Sequence, residues 1–528
     1  MSDNTDPFYI TTAISYPNGR PHIGHAYEAI ATDVMARFQR ARGRDVRMVT
    51  GTDEHGLKMF QTARDQGRAT IDLANEMSGY FREMYAALNI SYDSFMRTSD
   101  AAHHAASQAL WRAMQANGDL YLDRYEGWYS VRDEAFYDES ELVGEGEAKL
   151  SPQGTAVEWT VEESWFFRLS NYQDRLLALY NDNPDFIRPD SRRNEVLRFV
   201  EGGLKDLSVS RTSFDWGVPV PDSPGHVMYV WVDALTTYLS GIGYPASDGD
   251  FARFWPADIH MIGKDIVRFH AVYWPAFLMS AGLPLPKQIF GHGFLLNRGE
   301  KMSKSLGNVV DPMALAAQYG VDPLRYYLLR EVSFGQDGTY SAEAIVRTTN
   351  ADLANSFGNL AQRSLSMIFK NLGGELTSDY PANEEDWALL GDILDMATER
   401  LPREFDQLAF SNGIEDWLRA VFACNQYVDT QAPWALRKTD PERMRAVLMT
   451  LFRAVRTLAI AIRHVVPVAA DALLDQMGIA ADARDFVALQ DANWFAKLAA
   501  SEFKLGQPTP LFPRLELPEG AGAGEGEA

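Results

Sequence analysis

The chain has 528 residues, of which 46% are hydrophobic and 23% charged, a balance typical of globular proteins with roughly two to four domains at this length. Its formal net charge of −23 argues against general binding to nucleic acid, which favours basic surfaces, but leaves room for a specific partner bound at a local basic stripe. The single cysteine, Cys424, excludes an intramolecular disulfide and a zinc site built from cysteines.

Hydropathy gives no sign of a membrane segment or a secretory signal. No run approaches the ~18–20 apolar residues that a bilayer span needs, and the acidic, polar N-terminus lacks the basic and apolar regions of a signal peptide. The sequence therefore predicts a cytoplasmic protein that does not bind membranes.

The first half of the chain alternates strand and helix patterns. A buried strand at 8–13, an amphipathic helix at 23–42 and a strand at 46–50 predict a βαβ unit, and the same alternation resumes at 258–290. Between them, alternating aromatic residues and glycine turns predict an insertion of short antiparallel strands. From about residue 342 onward only helical spacing recurs, which predicts a helix bundle.

The predicted fold class is therefore α/β: a Rossmann-like parallel sheet split by an insertion and followed by an all-α bundle. Its predicted boundaries, in chain order, are 1–118 and 225–291 for the two sheet halves, 119–224 for the insertion, 292–345 for a connecting region, 346–515 for the bundle and 516–528 for a disordered tail.

Two histidines stand where the first predicted helix begins. His22 and His25 are three residues apart, so both lie on the first turn, beside unpaired backbone N–H groups and the positive end of the helix dipole. Gly24 between them lets a ligand approach the backbone closely. This arrangement predicts an anion-binding site.

A second stretch carries two lysines between glycines. Lys301 and Lys304 lie in a segment of small residues, 297–308, with the composition of a loop that can bring ammonium groups to a phosphate and withdraw them. Either stretch alone is compatible with an ordinary surface. Together, in this order and each after a predicted strand, they predict a site for ATP phosphates without a P-loop.

With these two stretches the chain resembles the class I aminoacyl-tRNA synthetases, which carry both signatures in this order. Three further stretches, 13–19, 229–235 and 425–434, narrow the resemblance to the methionyl-tRNA synthetase family. The similarity runs from about Phe8 to beyond Trp434. It implies activation of L-methionine with ATP and Mg²⁺ to methionyl-adenylate, followed by transfer to initiator and elongator tRNA(Met).

The resemblance also implies roles for individual residues. Those implied for ATP are His22, Gly24, His25, Gly263, Asp265, His292, Leu295, Lys301 and Lys304, of which the two histidines and two lysines are the catalytic residues. Those implied for methionine are Ile14, Tyr16, Asp53, Trp231, Ala234, Leu235, Tyr238, Ile266 and His270, with Asp53 pairing the substrate ammonium. Those implied for the anticodon are Asn359, Arg363, Pro433 and Trp434.

Zinc-bearing relatives hold a Cys-x-x-Cys pair where this chain has Ser130 and Asp133. With no second pair between residues 142 and 153, the resemblance implies a member without structural zinc, whose hairpin is held by other contacts. The absence of a further module after the predicted bundle predicts a monomer.

Three alternatives remain open at this point. Class I enzymes for valine, isoleucine and leucine normally carry a longer editing insertion, and the cysteine enzyme needs a cysteine-rich zinc site. Small nucleotidyltransferases share the histidine signature but are much shorter chains. An inactive tRNA-binding relative is expected to have lost some of His22, His25, Lys301 and Lys304, and all four are present.

Overall fold

A computed structural model describes residues 6–130, 135–144, 149–302 and 307–517. Asp133, Lys304 and the tail 518–528 lie outside the described residues. Within the described parts of the chain, no helix combines the length and apolar composition needed to cross a membrane.

The first sheet half follows the predicted βαβ order. Its elements are β1 (Pro7–Thr12), α1 (Ile23–Ala41), β2 (Asp45–Thr52), α2 (Leu57–Asp65), α3 (Thr70–Ala87), β3 (Ser94–Arg97) and α4 (Ala101–Ala116). β1 is buried almost throughout, because it lies at the centre of the sheet with a strand on either side. The buried face of α1 packs against it through Ile30, Val34 and Phe38, which recur at the spacing of an amphipathic helix.

The insertion follows as a separate antiparallel sheet with two helices. Its elements are β4 (Leu120–Ser130), β5 (Ala135–Tyr137), β6 (Glu158–Phe167), α5 (Gln173–Asp182), β7 (Ile187–Arg188), α6 (Asp190–Glu201), β8 (Leu207–Ser208), β9 (Ser210–Arg211) and β10 (Val227–Met228). The predicted antiparallel strands are present in the order β5-β4-β6-β8. The expectation of strands alone was incomplete, because α5 and α6 also form here and β7 joins the main sheet.

The second sheet half completes the parallel sheet. Its elements are α7 (Val230–Ser240), α8 (Gly249–Phe254), β11 (Ile259–Gly263), α9 (Trp274–Ala281) and β12 (Gln288–His292). The connecting region that follows contains β13 (Leu295–Asn297), β14 (Glu300–Lys301), α10 (Pro312–Tyr319), α11 (Val321–Arg330) and β15 (Gly338–Tyr340), whose strands form a separate small sheet in the order β14-β13-β15. The main sheet has the order β3-β2-β1-β11-β12-β7, with every neighbouring pair parallel. The chain thus changes direction between β1 and β11, where such sheets bind ligands.

One predicted helix is interrupted. The strand–helix alternation at 258–290 predicts one helix over about 266–281, but a 3₁₀ turn (Lys264–Ile266) and a π-helical turn (Phe269–Tyr273) precede α9. Pro275 has no N–H for the carbonyl of Ala271, four residues earlier, and the hydroxyl of Tyr180 donates to that carbonyl instead, at 2.6 Å. The widened turn follows from this exchange of donors.

The C-terminal part is the predicted helix bundle. Its helices are α12 (Ala342–Thr348), α13 (Asn359–Leu372), α14 (Glu384–Asp395), α15 (Leu401–Asp406), α16 (Phe410–Gln431), α17 (Pro433–Thr439), α18 (Pro441–Ile462), α19 (Pro467–Gln476) and α20 (Trp494–Ala499). α18 is the central helix, with sixteen buried residues, and Cys424 is buried against this core. Burial raises the pKa of the Cys424 thiol, so it behaves as an unreactive apolar side chain.

Candidate active site

A cavity of about 430 Å³ opens at the carboxyl edge of the main sheet. Residues 13–16 reach it from the end of β1, Asp53 from the end of β2, and Asp265 and His292 from the ends of β11 and β12. These strands flank the point where the sheet changes direction. The cavity therefore occupies the place where open parallel sheets bind nucleotides.

His22 and His25 form the N-terminal cap of α1. Nδ1 of His22 accepts from the backbone N–H of Gly24 at 3.1 Å, and Nδ1 of His25 accepts from that of His22 at 3.1 Å. The two rings lie with centroids 3.9 Å apart. Because each Nδ1 accepts, the proton of each neutral ring lies on Nε2, where it can be donated to a phosphate oxygen.

Gly24 is required for this cap. A Cβ atom at this position would lie 2.8 Å from Cε1 of His22, which is too close for van der Waals contact. The glycine therefore permits both the packing of the His22 ring and access to the helix N-terminus, where an anion is favoured.

A buried acid–base pair forms the wall opposite the cap. Nε2 of His292 lies 2.8 Å from Oε2 of Glu28, and its Nδ1 lies 2.8 Å from the carbonyl of Gly293. Burial lowers the pKa of His292, but the hydrogen bond and charge of Glu28 outweigh it and raise that pKa above its usual value. A protonated ring donates through both nitrogens, which matches the two acceptors. Sequence reasoning missed Glu28, whose position on α1 resembles an ordinary charged helix face.

Two of the residues expected to bind ATP, Asp265 and Lys301, lie together. Lys301 Nζ is 3.4 Å from Oδ2 of Asp265, and the ammonium stands 4.1 Å from the centre of the Phe294 ring. Gly263 ends β11 outside the cavity lining, and its missing side chain lets Asp265 fold back, since a Cβ there would lie 2.9 Å from Oδ1. Leu295 lines the cavity beside this cluster.

The apolar end of the cavity is formed by stacked aromatic rings. Trp231 and Phe269 lie with centroids 3.8 Å apart and planes inclined by 7°. Ile14, Tyr16 and Ile266 line the same region, and Tyr16 Oη accepts the backbone N–H of Met59 at 3.2 Å. Rings and branched carbons around a small polar opening suit an apolar side chain with a polarisable sulfur.

The carboxylate of Asp53 lines the cavity between its polar and apolar ends. The Asp53 backbone N–H donates to the carbonyl of Ser15 at 2.9 Å, which fixes the end of β2 against the segment after β1. A single carboxylate beside an apolar pocket is what an ammonium-bearing substrate requires.

Four of the residues expected to contact the substrate methionine are buried and do not line the cavity. They are Ala234, Leu235, Tyr238 and His270. His270 Nδ1 donates to the carbonyl of Ile266 at 2.9 Å, which leaves Nε2 to accept from Tyr238 Oη at 2.6 Å. Burial lowers the pKa of His270 to about 4, so the ring is neutral at physiological pH. These residues fix the positions of Ile266 and Trp231.

A buried carboxylate ties the two halves of this pocket together. Asp233 on α7 receives His55 Nδ1 at 2.5 Å and His103 Nε2 at 2.6 Å. Burial alone raises the pKa of Asp233, but the two imidazoles lower it below its usual value. The contact of Asp233 with His55 joins α7, which carries Trp231, to the loop that carries Asp53, and the contact with His103 joins α7 to α4. Sequence reasoning missed this link, because its three partners lie in separate segments.

Several other residues that line the cavity were not predicted from the sequence. They are Ala13, Ser15, Tyr27, Glu28, Gln153, Val230, Phe269, Gly293, Phe294 and Met302. Of these, Gln153 comes from the insertion, which therefore contributes to the site. For Phe269 and Phe294, the only local signal is an aromatic residue in the segment that follows a strand.

A cluster of buried hydroxyls holds the hairpin that carries zinc in some relatives. Thr155 Oγ1 lies 2.6 Å from Ser130 Oγ and 2.7 Å from Ser151 Oγ. Among the described residues, no three His, Cys, Asp or Glu side chains are grouped as metal ligands would be. The Ser151 hydroxyl also accepts the N–H of Gln153 at 3.2 Å, which connects the cluster to the cavity.

The residues expected to read the anticodon meet on one face of the bundle. Asn359 and Arg363 lie one turn apart on α13, and Pro433 begins α17, followed by Trp434. The guanidinium of Arg363 lies 5.6 Å from the Trp434 ring centre. Trp434 is 50% exposed.

Comparison with known families matches both parts of the chain. A model described as tRNA synthetases class I (M) matches residues 8–149 and 146–365, and one described as the anticodon binding domain of methionyl tRNA ligase matches residues 380–516. Methionine–tRNA ligase of Brucella suis biovar 1 is 56% identical over 511 residues, covering 96% of this chain and 98% of the relative. That of Mycobacterium tuberculosis strain CDC 1551 is 56% identical over 519 residues, covering 97% and 99%.

Solved structures agree with this. The crystal structure of Mycobacterium tuberculosis methionyl-tRNA synthetase bound by methionyl-adenylate superimposes with a TM-score of 0.92 at 54% identity, covering 96% of this chain and all of that one. Its apo form gives 0.87 at 51% identity, covering 98% and 100%. The matched models, the identity over nearly the whole length and the shared fold show that this chain belongs to the methionyl-tRNA synthetase family of class I aminoacyl-tRNA synthetases.

Proposed function

We propose that the cavity of this methionine–tRNA ligase performs both half-reactions with the residues expected from the sequence. In the first, methionine and MgATP give methionyl-adenylate and pyrophosphate. In the second, the methionyl group passes to the terminal ribose of tRNA(Met). The observation that carries the assignment is the pair of capping histidines, His22 and His25, in one cavity with Asp53 and the Trp231–Phe269 stack.

Adenylation needs charge stabilisation more than proton transfer. The methionine carboxylate is ionised at neutral pH, so it attacks the α-phosphorus directly and pyrophosphate leaves. Negative charge grows on the phosphate oxygens in this step. We assign His22 and His25 to donate to them through Nε2, and Lys301 and Lys304 to bind the leaving phosphates, while Mg²⁺ enters with the ATP.

Nucleoside binding involves Asp265, His292 and Leu295. A carboxylate at the end of a parallel strand can accept ribose hydroxyls, and we assign Asp265 this role. Lys301 Nζ lies 3.4 Å from that carboxylate. The ribose would take Asp265 and the phosphates would take Lys301, so both parts of ATP break this ion pair. ATP therefore releases Lys301 from Asp265 and draws its ammonium to the phosphates.

Methionine selection combines one charge with an apolar pocket. We assign Asp53 to the substrate ammonium and the Trp231–Phe269 stack, Ile14 and Tyr16 to the thioether. A larger charged side chain would lose its hydration against these rings without finding a partner. A shorter aliphatic side chain would leave part of the pocket unfilled.

The transfer step requires the bundle to place tRNA(Met). We assign Trp434 and Pro433 to stacking on unpaired anticodon bases and Asn359 and Arg363 to polar contacts with them. Initiator and elongator tRNA(Met) are both substrates in this proposal. One chain carries every residue assigned here, which supports a working monomer; the hydroxyl cluster of Ser130, Ser151 and Thr155 supports a hairpin held without structural zinc.

The test is ATP–pyrophosphate exchange with each of the twenty amino acids, on the wild-type protein and on Asp53→Asn. We expect exchange with methionine alone, and a large rise in the methionine KM of the variant with a much smaller change for ATP. Exchange driven equally well by valine, leucine or cysteine would refute the specificity. An unchanged methionine KM in Asp53→Asn would refute the role of Asp53.

A further inference from the structure

Phe422 is an apolar residue on the side of α16 that faces away from the bundle core. The side chains of α16 that the bundle core uses, Ile414, Trp417, Val421 and Cys424 among them, are buried, whereas Phe422 is 51% exposed. Single exposed apolar residues are common and by themselves indicate nothing. What distinguishes Phe422 is the row of residues it stands in.

Phe422 and Asp429 lie on one line along α16. Seven residues are two turns less about 20°, so the two side chains point the same way, about 10 Å apart along the helix axis. Asp429 accepts from Arg363 at 3.3 Å, and Arg363 lies against the ring of Trp434. The line that contains Phe422 thus leads directly to the aromatic residue assigned to the anticodon.

Polar groups fill the space between these two ends. Asn425 Nδ2 donates to the carbonyl of Ser356 at 3.3 Å, which joins α16 to the π-helical segment before α13. Asn359, one turn before Arg363, is exposed on the same helix. Next to Ser356, Asn355 holds the guanidinium of Arg514 at 2.9 Å. This strip, from Phe422 to Trp434, is therefore polar: it carries amides, the guanidinium groups of Arg363 and Arg514 and the Asp429 carboxylate that pairs with Arg363, with an aromatic ring at each end.

These features match single-stranded nucleic acid better than a protein partner. Proteins that bind unpaired bases combine aromatic platforms with cationic and amide groups along the backbone path. The ~10 Å along α16 from Phe422 to Asp429 already corresponds to about three nucleotides at ~3.4 Å each, and Trp434 lies beyond it, past the Arg363 that pairs with Asp429. An apolar protein contact would need a wider patch of exposed carbon than one ring between amides.

We propose that Phe422 is a second stacking platform, which binds an unpaired base of the anticodon loop at the opposite end of the strip from Trp434. This inference rests on the proposed anticodon role of Trp434 and adds a residue to it. The Phe422 ring then fixes the direction in which the loop lies across α16, while Arg363 and Asn359 contact bases between the two rings. Stacking is sequence-tolerant, so Phe422 contributes affinity and orientation more than base identity.

The experiment measures binding of a methionine tRNA transcript to the full-length protein and to Phe422→Ala, Phe422→Leu and Phe422→Trp. We expect about 5–150-fold weaker binding for Phe422→Ala, the factor that ~1–3 kcal/mol per stacked base gives at ~1.4 kcal/mol per tenfold. Phe422→Leu, apolar without a π-face, should resemble the alanine variant, and Phe422→Trp should bind at least as tightly as wild type.

Two further readouts separate stacking from a structural effect. ATP–pyrophosphate exchange and the melting temperature of Phe422→Ala should match wild type, since the ring is half exposed and remote from the cavity. The dependence of tRNA affinity on salt should keep its slope, because no charge is removed. If Phe422→Ala lowers the melting temperature and Phe422→Leu binds tRNA as tightly as wild type, the stacking role is wrong.

A matched control comes from Trp387 on α14, which is 54% exposed. Its neighbour Asp386 accepts a hydrogen bond from Tyr427, which lies about 140° around α16 from Phe422, so Trp387 lies on a different flank of the bundle. Trp387→Ala should bind tRNA like wild type. If Trp434→Ala weakens binding and Phe422→Ala does not, this inference is wrong and the anticodon assignment stands; if neither weakens it, the assignment itself is wrong.

Discussion

Asp33 on α1 and Arg325 on α11 form an ion pair with 2.7 Å between Oδ2 and Nη2, and both side chains are completely buried. Arg325 also donates to the carbonyls of Val465 and His464, at 3.0 and 3.1 Å, at the end of α18. One guanidinium therefore connects the catalytic sheet to the bundle. Burial raises the pKa of Asp33, but the charges of Arg325 and Arg37 outweigh it and lower that pKa below its usual value.

We predict that Arg325→Met lowers the free energy of unfolding by about 3–5 kcal/mol, because Asp33 is left buried with weaker compensation. The double variant Asp33→Asn, Arg325→Met should lose less than the sum of the two single changes, since no uncompensated charge remains. Urea unfolding of all four proteins measures this. Full additivity of the two losses would show that the pair is not coupled.

Lys304→Ala tests the lysine segment. Removal of a charge that acts mainly in the transition state should lower kcat for adenylation by about 10²–10³, with little change in methionine KM. The measurement is steady-state ATP–pyrophosphate exchange. Lys504→Ala, which removes an exposed lysine paired with Glu375, is the control and should keep wild-type activity. An unchanged kcat in Lys304→Ala would place the segment outside the reaction.

Trp434→Ala separates the two ends of the molecule. Methionine-dependent ATP–pyrophosphate exchange should stay near wild type, while aminoacylation should fall by the worth of about one base stack, ~1–3 kcal/mol. The indole is half exposed, so the melting temperature should change little. Equal loss of both activities with a lowered melting temperature would instead assign the tryptophan to the core, where truncation costs about 3–5 kcal/mol.

Thr155→Val tests the hydroxyl cluster of the insertion. Valine keeps the shape but leaves Ser130 and Ser151 without their shared partner, which should cost about 1–3 kcal/mol of stability. Thr155→Ser retains the hydroxyl and should recover most of the lost stability.

We also expect no stoichiometric zinc by elemental analysis and no loss of activity with a chelator selective for zinc. Stoichiometric zinc would refute the zinc-free assignment.

His464 gives a pH dependence of known sign. Burial, with the charges of Arg325 and Arg463, lowers the pKa of this histidine from 6.5 to about 3, and neither ring nitrogen has a hydrogen-bond partner among the residues that the structure describes. Below pH 6.5 the unfolded chain binds a proton that the folded protein does not, so stability falls as pH falls. At pH 5 the difference of 1.5 pH units corresponds to ~2 kcal/mol.

We therefore expect His464→Leu to gain about 2 kcal/mol relative to wild type between pH 8 and pH 5, because leucine cannot bind a proton. Urea unfolding at both pH values measures the difference. His104→Leu, a partly buried histidine on α4, serves as the comparison. A constant difference between His464→Leu and wild type at the two pH values would mean that His464 has no lowered pKa.

Local features of the sequence determined the histidine cap at the start of α1 and most of the elements. His22 and His25 needed only the start of one helix, because the i, i+3 spacing and the backbone groups of the first turn are set by the helix itself. The periodicity of Ile30, Val34 and Phe38 likewise reports burial directly. The bundle followed from the same helical spacing, and Pro433 marked the start of α17.

The partners of those local features were decided by tertiary structure alone. In the sequence, Glu28 looks like an ordinary charged residue on a helix surface, but in the fold β12 places His292 2.8 Å from it. Phe269 looks like a core residue, but the π-helical turn stacks its ring on Trp231. The strand order of the main sheet decides which distant segments meet, and it includes β7, taken from within the insertion. Periodicity along a chain encodes which face is buried, but not which distant residue buries it.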